Sequence, residues 1–393
     1  MRKVLSFSLF LMAGLLASQL LPGLLGDRYA AFKTGSDTLL YVCLAFIMIN
    51  VGREFEIDKS RWKSYAGDYF IAMATAALPW LLIAFYYIFV LLPSDCWSSG
   101  DAWRENLLLS RFAAPTSAGI LFTMLAAIGL KASWIYRKIQ VLAIFDDLDT
   151  ILLMIPLQIL MIGLRWQMFA VVGIVAVLLT IGWRRQATWD GRQDWRAVLG
   201  YAIVVFAATQ LIYLVTKHFY GPENSIHIEV LLPAFVLGMI LRHRHIDTAG
   251  EARAASCISF TFMFLVGLSM PLIAGAPAAD AAAPCSVTAS QPMMPWYVLL
   301  LHVLAVSLLS NLGKLMPLFF YRDRLLSERL ALSIGMFTRG EVGAGVIFIA
   351  LSYNLGGPAL LISVLTLVLN LVLTGGFVVW VKRLALKTYQ PAA

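Results

Sequence analysis

The stretch Ala114-Pro115-Thr116-Ser117-Ala118-Gly119 interrupts an apolar segment that otherwise has the character of a helix from about residue 107 to residue 130. Proline removes a backbone donor and glycine adopts many conformations, so a continuous helix is not expected to pass through this stretch. A second apolar segment, at residues 328–353, is interrupted by Thr338-Arg339-Gly340-Glu341-Val342-Gly343. These two interruptions determine the fold that we predict.

The composition around them is typical of a membrane protein. Of the 393 residues, 60% are hydrophobic and 13% are charged, whereas an ordinary globular domain is about 25% charged. This argues against a disordered chain and against a soluble enzyme. The net charge is +8, but no stripe rich in Lys and Arg interleaves with aromatic residues, so nucleic acid is not an expected partner.

A helix that crosses a bilayer needs about 20 mainly apolar residues. On this basis the sequence predicts an all-α, polytopic membrane protein with about twelve transmembrane spans. The spans cover residues 4–25, 37–52, 68–93, 107–130, 138–162, 166–183, 196–216, 228–241, 256–275, 296–320, 328–353 and 358–381.

The basic residues between the predicted spans indicate the topology. If the N-terminus lies inside, few of the 30 Lys and Arg residues fall in outer segments, namely Arg28, Lys33, Arg104, Arg165 and Lys217. Because basic residues accumulate in cytoplasmic loops, we expect both termini in the cytoplasm. Cys96 and Cys285 fall in outer segments, where they either form a disulfide or remain free thiols.

The two interrupted spans are the fourth and the eleventh, seven spans apart. Because seven is an odd number, the second must lie inverted relative to the first, which predicts inverted repeats of spans 1–5 and 8–12. In secondary transporters, broken helices at matching positions mark a substrate site near the bilayer midplane. Close packing of glycine-rich helices would explain one interruption, but it explains two at the repeat offset less well.

Seven charged residues are singled out because they fall inside the predicted spans and away from the span ends: Arg111, Asp146, Asp147, Asp149, Lys314, Arg339 and Glu341. A charge at the middle of a bilayer costs at least about 2.5–3.5 kcal/mol, so such residues are usually functional. We therefore expect the functional site among them.

The three aspartates lie within four residues of the fifth span. Carboxylates close together in a low-dielectric setting bind protons more readily, and their oxygens suit Na⁺ better than a soft metal. A proton and a cation that compete for one site provide the minimal arrangement for exchange. Alternatively, buried basic partners neutralise these acids, and the charges only hold helices together.

The other four charges lie outside the fifth span. Lys314 is the predicted counter-charge, which either pairs with one carboxylate or offsets exposed helix-dipole ends. Arg339 and Glu341 either face different neighbours or close the break as a structural pair. Arg111 lies just inside the outer edge of its span, where a long side chain can snorkel to water.

Two kinds of intramembrane protease and a symporter are the alternatives to exchange. An intramembrane aspartyl protease needs a Gly-x-Gly-Asp pattern, which the sequence lacks, and an intramembrane serine protease needs a catalytic histidine, for which His302 is the one candidate in a span. No enzyme activity and no cofactor are therefore expected. A sodium-coupled symporter of an organic anion stays open, with Arg111 and Arg339 as partners of the anion.

At these residues the chain resembles the monovalent cation:proton antiporter family, the bacterial sodium/proton antiporter type that is related to the potassium-efflux antiporters. The likeness covers essentially the whole chain. It rests on Phe46–Asp58, Pro115-Thr116-Ser117, Asp146-Asp147, Lys314 and Arg339-Gly340-Glu341-Val342-Gly343. Asp149 and Arg111 depart from the family pattern, in which small or apolar residues are usual at their positions.

The resemblance implies that a monovalent cation (Na⁺, Li⁺ or K⁺) is exchanged for protons through elevator-like alternating access. Asp147 would be the main carrier of Na⁺ and of the proton, and Asp146 would pair with Lys314. Thr116 and Ser117, with backbone carbonyls near the break, would help to bind the ion. In this family, two acids in the fifth span go with electrogenic exchange.

The same resemblance implies that residues 1–393 form one membrane transporter domain of the sodium/proton antiporter fold, in which broken helices four and eleven cross. Residues 68–162 and 296–381 would form the ion-translocating core. Residues 1–52 and 196–275 would form the interface part through which the chain dimerises. The expected setting is a homodimer in the lipid bilayer of a bacterial inner membrane.

Overall fold

The computed structural model describes residues 2–54, 62–127, 129–130, 133–162, 166–192, 194–221, 226, 228, 230–242, 249–270, 285, 294–353 and 355–389. This part of the chain is helical apart from turns and an isolated bridge between Trp189 and Leu241. Its α-helices are α1 (Arg2–Leu25), α2 (Tyr29–Glu54), α3 (Trp62–Tyr86), α4 (Gly100–Ser110), α5 (Ala118–Ala127), α6 (Trp134–Ile162), α7 (Trp166–Arg184), α8 (Trp195–Tyr220), α9 (Leu231–Ile240), α10 (Ala249–Leu268), α11 (Trp296–Gly313), α12 (Pro317–Phe320), α13 (Leu326–Gly335), α14 (Glu341–Ser352) and α15 (Gly357–Tyr389).

These helices match the predicted spans. Among the described residues, seven helical stretches are long and apolar enough to cross a membrane, and two shorter apolar helices lie within α7 and α9. Each predicted span coincides with one helix or with a pair of helices that follow each other in sequence. The prediction of an all-α, multi-pass membrane protein is confirmed.

The two interrupted helices cross at their breaks. Residues 111–117 separate α4 from α5, and residues 336–340 separate α13 from α14. The backbone N–H of Ser117 in one break donates to the carbonyl of Thr338 in the other at 3.1 Å. A Cβ atom on Gly340 would lie 2.9 Å from Oγ of Ser117, so a residue without a side chain lets the breaks approach. The predicted crossing of broken helices four and eleven is confirmed.

The chain divides into two compact units. The first consists of Met1–Pro22, Lys63–Leu157 and Val266–Ala393, and the second of Gly23–Trp62 and Gln158–Leu265. Both interrupted helices belong to the first unit. The predicted division into an ion-translocating core and an interface part is a division by function, and it stays a prediction.

In the second unit, α2 and α9 pack through glycines. A Cβ atom on Gly52 would meet the backbone of Phe235, and one on Gly238 would meet the backbone of Ile49. Small residues at such contacts let helix backbones approach closely, which is how helices associate without a hydrophobic driving force.

A disulfide links two parts of the first unit. Cys96 is bonded to Cys285 with a Cα–Cα distance of 5.3 Å. Cys285 packs against a small buried cluster of Leu92, Cys96 and Ala102. Of the two states that the sequence left open for these cysteines, the structure contains the disulfide.

Candidate ion-binding site

A fully buried ion pair lies at the crossing of the two broken helices. Lys314 follows the last residue of α11, and Asp146 lies on α6; both side chains are 0% exposed. Nζ of Lys314 lies 2.9 Å from Oδ2 and 3.1 Å from Oδ1 of Asp146. A buried ion pair loses more hydration energy than its attraction returns unless further hydrogen bonds support it.

Thr116 provides those further hydrogen bonds. Its backbone N–H donates to Oδ2 of Asp146 at 2.7 Å, and its hydroxyl accepts from Nζ of Lys314 at 3.1 Å. The same hydroxyl donates to the carbonyl of Met336 in the other break at 3.2 Å. Because α5 begins just after Thr116, the Asp146 carboxylate also lies near a helix N-terminus, which favours a negative charge. Thr116 therefore joins both breaks to the ion pair.

Arg339 closes the C-terminal end of α13. Its Nη1 donates to the carbonyl of Met336 at 3.0 Å and more weakly to that of Thr338, and its Nη2 donates to Oγ of Ser310 at 2.9 Å. A cation beside the last carbonyls of a helix is stabilised by the helix dipole. These contacts place Arg339 at the end of α13 and against Ser310 of α11. The two alternatives for Arg339 and Glu341, a structural pair that closes the break or contacts with different neighbours, stay predictions.

Ser117 follows Thr116 in the same break. Its side chain is buried, and its hydroxyl accepts from the backbone N–H of Ile120 at 3.4 Å, within the first turn of α5. This is the contact of a helix-capping serine. The role predicted for Ser117 in ion binding stays a prediction.

The predicted snorkelling of Arg111 is wrong. Its side chain is 0% exposed, its guanidinium carbon lies 4.9 Å from the ring centre of Trp80, and its Nη2 donates to the backbone carbonyl of Asp149 at 2.9 Å. The α-helix ends at Ser110 and the chain continues as a short 3-10 turn over Arg111–Ala113. In this position the side chain is enclosed between Trp80 on α3 and the backbone of α6.

Asp149 is buried beside this arginine. It is 1% exposed, and its carboxylate accepts a hydrogen bond from the hydroxyl of Tyr69 on α3. Its Oδ2 atom has no hydrogen-bond partner among the described residues. Asp149 and Asp146 lie three positions apart on α6 and thus on the same side of that helix, so two buried acids face this region.

Two predicted site residues have side chains outside the described part of the structure. These are Asp147, the predicted carrier on α6, and Glu341, the first residue of α14. Residues 55–58, which end the stretch quoted for the family resemblance, also lie outside it. The roles predicted for these residues stay predictions.

Sequence reasoning missed another buried acid in the first unit. Asp68 is 3% exposed and accepts from Nζ of Lys138 at 2.8 Å and from the hydroxyl of Tyr321 at 2.7 Å. Burial and then the nearby charge of Asp68 raise the pKa of Tyr321, which keeps its donor proton. Asp68 is the first residue of its predicted span, and an acid at the end of a span is expected to be exposed. The hydropathy pattern therefore did not predict that Asp68 is buried.

Comparisons with known proteins agree with this architecture. No protein-family model matches the chain, and no curated protein matches its sequence. Among solved structures, it is similar to the sodium proton antiporter MjNhaP1 from Methanocaldococcus jannaschii at pH 8, with a TM-score of 0.58 and 16% identity over 97% of this chain and 92% of that chain. A structure of the same antiporter from an electron-microscopy map gives a TM-score of 0.61 and 15% identity over 98% and 92%.

At this level of identity the likeness shows the fold. The chain is an all-α, multi-pass membrane protein with the fold of a sodium/proton antiporter. Its two broken helices cross beside a buried lysine–aspartate pair.

Proposed function

We propose that this chain is a secondary antiporter that exchanges a monovalent cation, Na⁺ or Li⁺ or K⁺, for protons. The observation that carries the proposal is the buried pair of Lys314 and Asp146 where the two broken helices cross. Ionisable residues inside membrane spans are costly, and they commonly mark ion pathways and proton relays. The antiporter fold supports the same conclusion.

In the proposed cycle, Asp147 is the main carrier and Asp146 is the acid that Lys314 neutralises. A cation that enters supplies a positive charge, which competes with Nζ of Lys314 for Asp146 and with a proton for Asp147. Because a low-dielectric site tolerates little net charge, binding of the cation favours release of protons. Release of the cation on the other side favours their return. The protein therefore needs no cofactor for this exchange, and we propose a transporter and not an enzyme.

The symport of an organic anion is less well supported. Such an anion would need free guanidinium donors, but Nη1 and Nη2 of Arg339 donate to Met336 and Ser310. Arg111 lies near Asp146 and Asp149, whose negative charges would oppose a bound anion. We therefore retain exchange as the proposed function.

The proposal includes the setting of the protein. We place it as a homodimer in a bacterial inner membrane with both termini in the cytoplasm. Residues 1–52 and 196–275 would form the interface part, and residues 68–162 and 296–381 would form the core that carries the ion. The distribution of basic residues supports the orientation.

Exchange can be measured on the purified full chain in proteoliposomes that enclose a pH-sensitive dye. Addition of Na⁺ to the bath should make the lumen more alkaline, because protons leave as the cation enters. Li⁺ and K⁺ should be compared at the same concentration, with choline as the inert control. No change in lumen pH with any of the three cations would contradict antiport. Cation-dependent uptake of an organic anion without proton movement would favour the symporter.

The hydroxyl of Thr116 should contribute to exchange. Thr116→Val keeps the shape of the side chain but removes the acceptor for Lys314 and the donor to Met336. Loss of a buried hydrogen-bond partner costs roughly 1–3 kcal/mol, so we expect the initial rate of exchange to fall about tenfold. Thr116→Ser keeps the hydroxyl and should retain most of the rate. If Thr116→Val exchanges at the wild-type rate, the hydroxyl is not needed for exchange.

A further inference from the structure

Arg111 is a buried cation that the proposed cycle does not use. It lies in the break between α4 and α5, and its side chain is 0% exposed. Such a residue needs an explanation, because burial of a charge is costly unless an opposite charge and hydrogen bonds compensate it.

Three elements of the first unit hold its guanidinium in place. Nη2 donates to the backbone carbonyl of Asp149 on α6, and the group lies over the ring of Trp80 on α3. The indole N–H of Trp80 donates in turn to the carbonyl of Leu107 on α4 at 2.7 Å. A cation over an indole ring is attracted to its π face. The position of the charge is therefore fixed by α3, α4 and α6.

These contacts differ in kind from those of Lys314. Within the described part of the chain, the partners of Arg111 are a backbone carbonyl and an aromatic face, and its Nε and Nη1 atoms have no hydrogen-bond partner. The charges of Asp146 and Asp149 act on it electrostatically. A cation that arrives at Asp146 competes directly with Lys314. It does not compete for the carbonyl or the ring that hold Arg111.

A positive charge that stays in place acts on every cation that enters the site. In a low-dielectric interior, repulsion between like charges extends well beyond contact distance. Such repulsion lowers the affinity of the site for the cation. An exchanger benefits from this, because an ion that is bound too tightly is released slowly.

We propose that Arg111 is the residue that sets cation affinity in this transporter, as a fixed positive charge beside the site that weakens cation binding and speeds release. This inference rests on the proposed exchange function. It assigns to Arg111 an electrostatic role, distinct from the displaceable charge of Lys314. The contacts with Trp80 and with the backbone of Asp149 position the charge.

The test is the dependence of exchange on Na⁺ concentration in proteoliposomes. Arg111→Gln removes the charge but keeps an amide that can donate to the carbonyl of Asp149. We expect the KM for Na⁺ to fall about tenfold, with no rise in the maximal rate. Arg104→Gln is the matched control. Arg104 lies on α4, which immediately precedes Arg111, and its side chain is 49% exposed in a surface pair with Asp101. Its loss should leave KM unchanged.

A purely structural role predicts a different result. In that case Arg111→Gln would lower the maximal rate or the yield of folded protein without lowering KM, and this outcome would overturn the inference. Arg111→Lys keeps the charge and should keep the wild-type KM. A KM in the lysine variant as low as that expected for glutamine would also overturn it, even if the glutamine variant does not fold. If the wild-type protein shows no exchange, the proposed function itself has failed.

Discussion

Asp147→Asn is expected to reduce cation-dependent proton movement to the level of protein-free vesicles. Asparagine has nearly the same shape as aspartate, but it carries no negative charge and takes up no proton at neutral pH. A carrier that must bind a cation and a proton in turn loses both abilities in one substitution. The measurement is the rate of change of lumen pH after addition of Na⁺ to proteoliposomes.

The control for this experiment is Asp101→Asn. Asp101 lies in the same unit, but its side chain is 61% exposed in a surface pair with Arg104, and such pairs contribute little to stability. We expect this variant to exchange at the wild-type rate. Full exchange by Asp147→Asn, in protein that is as folded as the control, would show that another group is the carrier. Asp146 and Asp149 would then be the next acids to test.

The architecture was predictable from the sequence because its signals are local. Pro115 and the glycines around both breaks disfavour a continuous helix through local effects on the backbone. Span positions follow from apolar length alone. The odd offset between the breaks then implies their inverted relation. Each of these inferences needs only neighbouring residues and the properties of the bilayer.

The partners of the buried charges were harder to predict. The sequence indicated that Lys314 would neutralise a carboxylate, but the residues alone did not decide which one, because adjacent aspartates on a helix point about 100° apart. The roles of Thr116 as a link between both breaks and of the Met336 carbonyl as a shared acceptor depend on how two distant segments cross. No pattern along the chain encodes that crossing in detail.

Arg111 shows where the local argument fails. Its position near the predicted end of a span suggested a side chain that reaches water. In the structure the guanidinium instead lies over Trp80, and its Nη2 donates to the carbonyl of Asp149. Trp80 and Tyr69 carry no charge, so a search for ionisable residues in spans does not find the groups that surround Arg111 and Asp149.

Lys314→Ala is expected to destabilise the folded protein by roughly 3–5 kcal/mol at neutral pH, because it leaves the Asp146 carboxylate buried without its counter-charge. Thermal unfolding in detergent, followed by tryptophan fluorescence at neutral pH, measures this. Lys217→Ala, which removes an exposed lysine on α8, should have an effect within about 0.5 kcal/mol.

Combining Asp146→Asn with Lys314→Ala separates a structural pair from a functional one. The double variant removes both charges of this pair, and the N–H of Thr116 can still donate to the asparagine oxygen, so most of the lost stability should return. If the pair only fastens helices, this stable double variant will also exchange at the wild-type rate. If the pair belongs to the ion site, as we propose, the variant will be folded but will exchange much more slowly. If the double variant is as unstable as Lys314→Ala alone, the proposed coupling is contradicted. Lys314 would then stabilise the fold through contacts other than its pair with Asp146.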